Sequence, residues 1–260
     1  MFKKLLLSAV TVLLIGVCIT ARGKKDDPVK SAEDLEGRTI GVQLGTTGEM
    51  LASDIKDAKV EKYSSGEDAV KKLKDSNLDA VIIDAEPAKV FAEKYSEIKV
   101  LDDKFAQEDY AIAVNLQNTE LCDSINKALS ELKSEGVIDS IVKNYIGNDK
   151  GKSPYISPEG TDRSKGTLTM ATNAEFPPYE ALDTDRISGI DVDIMTAICD
   201  KLGYTLKIED MSFDSVLPSV QEGKVDVGMS GITVTDERMQ QVLFSDPYTT
   251  STQVILTRKD

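Results

Sequence analysis

The chain has 260 residues, 40% hydrophobic and 29% charged, enough for two modest domains or one large one. A formal net charge of −14, with no basic cluster after Lys24-Lys25, argues against nucleic acid as a partner. With no His and three Cys, a zinc centre or a His-based catalytic triad is nearly excluded, and no metal or other cofactor is expected.

Residues 1–21 read as an export signal: Lys3 and Lys4 supply the positive end, residues 5–17 the apolar core, and Ile19-Thr20-Ala21 the cleavage region. The apolar run is short for a membrane span. The position where a lipoprotein signal needs Cys is Arg22, and Cys18 follows Ile15-Gly16-Val17, a poor match, so the expected place is periplasmic or at the cell surface, with lipid anchoring an open alternative that the sequence does not support. Cys122 and Cys199 lie on helix-like patterns and are expected as buried free thiols, a disulfide being the less favoured alternative.

Residues 32–37 form a helical turn stopped by Gly37, and 39–42 a strand. Gly45-Thr46-Thr47-Gly48 then precedes a helix from about Glu49, an anion-binding corner too short for a P-loop and without its Gly-Lys-Ser/Thr ending. A strand at 60–63 and a helix at 67–73 lead to the apolar run 80–83, which reads as a buried parallel strand ending in Asp84. Asp84 is either a ligand carboxylate at a strand end or the cap of a helix starting near Glu86-Pro87, and the roles can coexist. Strands follow at 98–101 and 110–114, then amphipathic helices at 121–132 and 137–145. Residues 148–166, rich in Gly, Pro, Ser and charge, read as a linker.

A second α/β unit begins with a strand at 168–172. Asn173-Ala174-Glu175-Phe176-Pro177-Pro178-Tyr179 is expected to be irregular because of its two prolines, projecting Phe176 and Tyr179 from a strand end. A helix at 189–202, a strand at 206–209, a loop opened by Phe213 and a helix at 216–221 come next. The strand 225–229 runs into Ser230-Gly231-Ile232-Thr233, with Arg238 five residues past Thr233, and the last strand is 253–256. A strand ending in Ser-Gly-x-Thr brings free N–H groups and a hydroxyl to one place, and a guanidinium beside it completes a carboxylate site. The same stretch taken alone reads about equally well as a turn with a solvated Arg.

As a set, these segments resemble the amino-acid-binding family of extracytoplasmic solute receptors for ABC importers. The set comprises Thr172-Asn173-Ala174-Glu175-Phe176-Pro177-Pro178-Tyr179, Gly189-Ile190-Asp191-Val192-Asp193, Asp226-Val227-Gly228-Met229-Ser230-Gly231-Ile232-Thr233, Glu237-Arg238, Phe244-Ser245-Asp246-Pro247-Tyr248, Leu35-Glu36-Gly37 and Gly45-Thr46-Thr47. The resemblance implies a two-lobed α/β, periplasmic-binding-protein-like clamp (type II), with a mixed, mostly parallel sheet in each lobe and a two-strand hinge. It implies that Phe176 and Phe213 sandwich the ligand, and that Arg238, the Thr233 backbone and the Thr46-Thr47 region hold its α-carboxylate. Asp84, with Thr233 and the Ser230-Gly231 region, would hold its α-ammonium, while Gln43, Asn173, Glu175 and Tyr179 would face or flank its side chain.

The order of parts departs from the family's. Members run from the Asn-Ala-Glu-Phe-Pro-Pro unit into Leu-Glu-Gly and Gly-Thr-Thr; here the latter half comes first, as in a circular permutation whose old ends are joined by 148–166. One lobe is then expected from 29–107 plus 253–260 and the other from 108–252, with hinge crossings near 106–110 and 248–252. The implied function is capture of a free polar or cationic L-amino acid (glutamine, arginine or lysine type) by a monomer that delivers it to ABC importer membrane subunits, without catalysis. The alternatives are a cyclohexadienyl-type dehydratase, with Glu175 as its acid, and a ligand-sensing module, whose family relatives continue into a membrane helix where this chain stops at Asp260.

Overall fold

The computed structural model describes residues 28–259. The expected export signal, with Cys18 and Arg22, lies outside the described residues. After a 3-10 turn at Ala32–Leu35, the first half runs β1 (Thr39–Gln43), α1 (Thr47–Asp54), β2 (Lys59–Tyr63), α2 (Gly66–Lys74), β3 (Ala80–Asp84), α3 (Ala85–Lys94), β4 (Ile98–Tyr110), β5 (Ala113–Val114), α4 (Thr119–Ser134) and α5 (Val137–Tyr145). The second half runs β6 (Thr167–Thr172), β7 (Glu175–Phe176), β8 (Glu180–Asp183), β9 (Arg186–Ser188), α6 (Ile190–Leu202), β10 (Thr205–Asp210), α7 (Phe213–Gln221), β11 (Val227–Gly228), α8 (Asp236–Met239), β12 (Leu243–Phe244) and β13 (Thr249–Arg258).

Two five-stranded sheets organise these elements, in the orders β2-β1-β3-β13-β4 and β10-β6-β11-β5-β12, and β7-β8-β9 form a small third sheet. Strand alternation explains the unbroken apolar runs. Val81 and Ile83 enter one cluster with Val254 and Leu256, whereas Ala80 and Ile82 enter another with Ile255 on the opposite face. The second sheet is likewise covered on both faces, by the cluster holding Leu168, Met170 and Ile198 and by that holding Ala171, Val216 and Val220. Cys122 and Cys199 are free and buried within the former.

Local differences from the sequence reading have identifiable causes. Residues 98–110 form one 13-residue strand because β13 pairs along it from Arg258↔Ile98 to Thr249↔Tyr110, supplying backbone partners to a polar stretch with no apolar signal. Glu175 and Phe176 are a short strand, not irregular: Pro177-Pro178 turns the chain so that they pair with Ala181 and Glu180. Phe213 opens α7 itself. The one-turn helix α8, unanticipated, is capped by Thr235, whose Oγ accepts from the Arg238 N–H at 3.2 Å.

The chain passes from the first sheet to the second between β4 and β5 and returns between β12 and β13. β13 lies antiparallel between β3 and β4, placing Gln253 opposite Asp84. Residues 148–166 carry no helix or strand, yet they are tied down. Tyr155 packs on the core and donates its hydroxyl to Asp200 at 3.1 Å, and Arg163 forms an ion pair with the same carboxylate.

Candidate functional site

Eleven of the thirteen expected site residues line one cavity between the two large sheets. From the first sheet come Gln43 at the end of β1, Thr46 and Thr47 at the start of α1, and Asp84 at the end of β3. From the side of the second sheet come Asn173 after β6, Phe213, Ser230, Gly231, Thr233 and Arg238, and from β7 of the small sheet comes Phe176. The local reasons are those of an α/β sheet, in which strand ends and helix N-termini converge on one side. Gly231 is required by its surroundings: it has φ of 55°, and a Cβ there would meet Phe176 Cε1 at 2.6 Å and Tyr110 Cε2 at 3.2 Å.

Glu175 and Tyr179 are corrections. Neither lines the cavity. Side chains alternate along a strand, so once Phe176 faces inward its neighbour Glu175 faces out, and it is exposed. Tyr179 stands behind Phe176, stacked at 5.4 Å between ring centroids, and meets Tyr110 edge-on at 5.2 Å. It braces the wall and does not form it.

The cavity holds two buried opposite charges. Arg238 is 8% exposed and donates to Thr233 O at 2.7 Å and, across to the first sheet's side, to Gly45 O at 2.9 Å. Its guanidinium lies 5.7 Å from the Phe213 ring centroid. Burial lowers its pKa while the charges of Glu108 and Asp84 oppose that shift; an Arg stays protonated regardless. Asp84 is 6% exposed and occupies the N-cap position of α3, as the capping reading expects, but its side chain makes no capping bond there. It accepts instead from the Tyr110 hydroxyl. Burial pushes its carboxyl up to about 7, against the pull of that hydrogen bond and with added repulsion from Glu108. Gln43 Nε2 donates to Asn173 Oδ1 at 2.9 Å, a second contact joining the two sides.

Residues 168–260 match the bacterial extracellular solute-binding proteins, family 3. That stretch is about a third of the chain. The arginine-binding extracellular protein ArtP of Bacillus subtilis is 38% identical over 104 residues, 40% of this chain and 41% of that protein. A probable histidine-binding protein of Neisseria gonorrhoeae is 42% identical over 91 residues, 35% of this chain and 34% of that protein. The chain thus spans well under half the length of these curated relatives. The arginine-bound form of domain 1 from TmArgBP shares 41% identity over 37% of this chain and 82% of that chain, at a TM-score of 0.32. The two five-stranded sheets and their helices agree with the α/β class that the sequence resemblance implied.

The cavity rests on residues that the motifs did not single out as functional. Under the Ser230-Gly231 turn lie two buried acids, Glu180 and Asp191. Ser230 Oγ donates to Glu180 Oε1 and accepts from the Asn173 N–H at 3.1 Å. Asp191 Oδ2 accepts from the Gly231 N–H and the Tyr248 hydroxyl, both at 2.8 Å. The other oxygens, Glu180 Oε2 and Asp191 Oδ1, have no donor besides each other. Two adjacent carboxyls in a buried site share one proton. Burial and the charge of Asp191 push Glu180 well above the usual carboxylate range, and burial raises Asp191 as well. The pair fixes the floor of the cavity from below. Tyr110 and Gln253 were legible only as apolar-strand members, although a lone Gln beside Val254-Ile255-Leu256 in a buried strand is itself a signal of a polar partner.

Proposed function

We propose that the protein captures a free L-amino acid between its two sheets outside the cytoplasm and delivers it to the membrane subunits of an ABC importer. The observation that carries this reading is one cavity faced by buried Arg238 from one side and buried Asp84 from the other. A zwitterion leaving water needs a partner for each charge, and a fixed cation and a fixed anion on separate halves reward closure around a ligand that touches both. No catalytic step is needed. The dehydratase alternative loses its acid, since Glu175 stands outside the cavity.

The ligand's side chain is polar or cationic. Arg238 is the one cation lining the cavity among the described residues, and the α-carboxylate uses it, so a second carboxylate would be unpaired. With Glu175 outside the cavity, the reason left for preferring a cation is the net charge of −14. Relatives named as arginine-binding point the same way. In a thermal-shift and calorimetric screen of the common amino acids, arginine, lysine or glutamine should stabilise the protein, by about 2.7 kcal/mol at a hundred times Kd. Glutamate binding more tightly than all three would overturn the ligand class.

Asp84 makes this binding pH-dependent. Burial holds its carboxyl up at about 7, and a bound ammonium favours the ionised form, so its pKa falls in the complex. Affinity is therefore full above pH 7 and drops as pH falls below it, approaching about tenfold per unit. Calorimetry between pH 5 and 8 should show this slope, with proton release on binding near pH 7. A flat profile over that range would count against the assigned role.

We also infer the permuted arrangement, with lobes of 29–107 plus 253–260 and of 108–252. Its support is that β13 sits between β3 and β4 and that both ends of the described chain lie along β4. Lys259 N–H donates to Glu97 O at 2.7 Å, and Ala32 N–H to Asp103 Oδ2 at 2.6 Å. A rearranged gene that joins the present ends by a short flexible linker and opens within 148–166 should yield a folded protein of unchanged affinity. An insoluble or non-binding product would argue against the arrangement.

A further inference from the structure

Two cavity hydroxyls are held from outside by a pair of side chains that do not line the cavity. Glu108 on β4 accepts from Thr233 Oγ1 at 2.9 Å and from Gln253 Nε2 at 3.1 Å. The same Gln253 nitrogen donates to Thr47 Oγ1 at 3.2 Å. Glu108 and Gln253 sit on neighbouring strands, where Ser251 pairs with Glu108. Thr47 and Thr233 line the cavity.

The hydrogen-bond inventory of each group sets a direction. A carboxylate only accepts, so the single hydrogen of the Thr233 hydroxyl is committed to Glu108. What Thr233 Oγ1 can still offer the cavity is lone pairs. The Glu108 carboxylate also fixes the Gln253 amide, because the flipped amide would set its oxygen against a carboxylate oxygen. Gln253 Nε2 then spends one hydrogen on Glu108 and the other on Thr47 Oγ1. Having accepted there, Thr47 keeps its own hydrogen free to donate.

We propose that Glu108 and Gln253 are positioning residues that set ligand polarity, making Thr233 an acceptor for the α-ammonium and Thr47 a donor for the α-carboxylate. The proposal rests on the amino-acid-binding reading above. Beside Asp84, an acceptor at Thr233 completes a site for N–H groups; near Arg238, a donor at Thr47 completes one for oxygens. A ligand presenting the two groups in the opposite sense meets a mismatched hydroxyl at both places. Glu108 gives this arrangement its direction, since replacing its carboxylate by an amide allows the whole chain of hydrogens to run the other way.

The test is calorimetry on the full chain with three probes: L-arginine, agmatine, which lacks the α-carboxylate, and 5-guanidinopentanoic acid, which lacks the α-ammonium. Should the screen select L-glutamine instead, its corresponding amine and acid are used. In Glu108→Gln the Thr233 hydroxyl can accept from the new amide and turn its hydrogen inward. Arginine and agmatine should then weaken by about ten- to a hundredfold, the range for a hydrogen bond to a charged group, while 5-guanidinopentanoic acid is unchanged. In Gln253→Met the Thr47 hydroxyl is released, so arginine and 5-guanidinopentanoic acid should weaken more than agmatine, which loses only the Gln253 contact that favours ionised Asp84. A loss shared equally by all three probes in either variant, or no loss, overturns the proposal and leaves the binding reading standing. A wild-type protein that binds no amino acid overturns both.

Discussion

Arg238→Ala is expected to weaken amino-acid binding by about a thousandfold or more, the ~3–5 kcal/mol typical of removing one partner from a buried charge pair. The guanidinium can meet both oxygens of a carboxylate while still donating to Thr233 O and Gly45 O. Truncation also removes the contact with Gly45 across the cleft and the packing on Phe213. Arg238→Lys should recover little, because one ammonium cannot reproduce the planar fork or its stacking on the ring. Calorimetry with the preferred amino acid gives the affinity, and urea unfolding of the ligand-free variants shows whether the fold is intact. A Kd within threefold of wild type in a folded Arg238→Ala protein would remove Arg238 from the site.

Gly189→Ala acts through the fold and is expected to cost more than about 4 kcal/mol of stability, or to prevent folding. Gly189 precedes α6 with φ of 152°, and an added Cβ would collide with the Tyr179 carbonyl and lie 2.8 Å from Glu180 Cα. These are backbone atoms, held by Ile190 N–H to Pro178 O at 3.1 Å and Asp191 N–H to Tyr179 O at 3.0 Å, so no side chain can swing away. The site is affected in turn, since the first turn of α6 carries the Asp191 carboxylate that receives the Gly231 N–H. Gly136→Ala is the control. Gly136 also has positive φ, 74°, but nothing lies within 4 Å of its Cβ position, so the cost is the backbone term of about 1–2 kcal/mol. Equal denaturation midpoints for the two variants would contradict the close approach of α6 to Tyr179.

The α/β alternation and the strand ends follow from the local pattern of residues. The run 80–83 has apolar residues on both faces and so must be sandwiched, and the residues just past such strands are where cavities form. Asp84, Phe176, Ser230, Thr233 and Arg238 were therefore legible from their places in the pattern, whereas Asn173 and Phe213 came only through the family resemblance. The tertiary structure decided everything that depends on which face a residue presents or what a distant strand brings to it. Glu175 faces out because Phe176, one residue on, faces in, and a two-residue strand is too short for its phase to be read from a pattern. The 13-residue β4 exists because β13, more than a hundred residues later, pairs along a polar stretch that has no strand signature of its own. Glu180 with Asp191 and Glu108 with Gln253 are groups 11 and 145 residues apart in sequence, Glu108–Gln253 bonded directly. Side-chain polarity carries no periodicity that could announce them. A buried hydrogen bond is specified by where two backbones approach, and that approach is set by the packing of whole sheets rather than by any local run of residues.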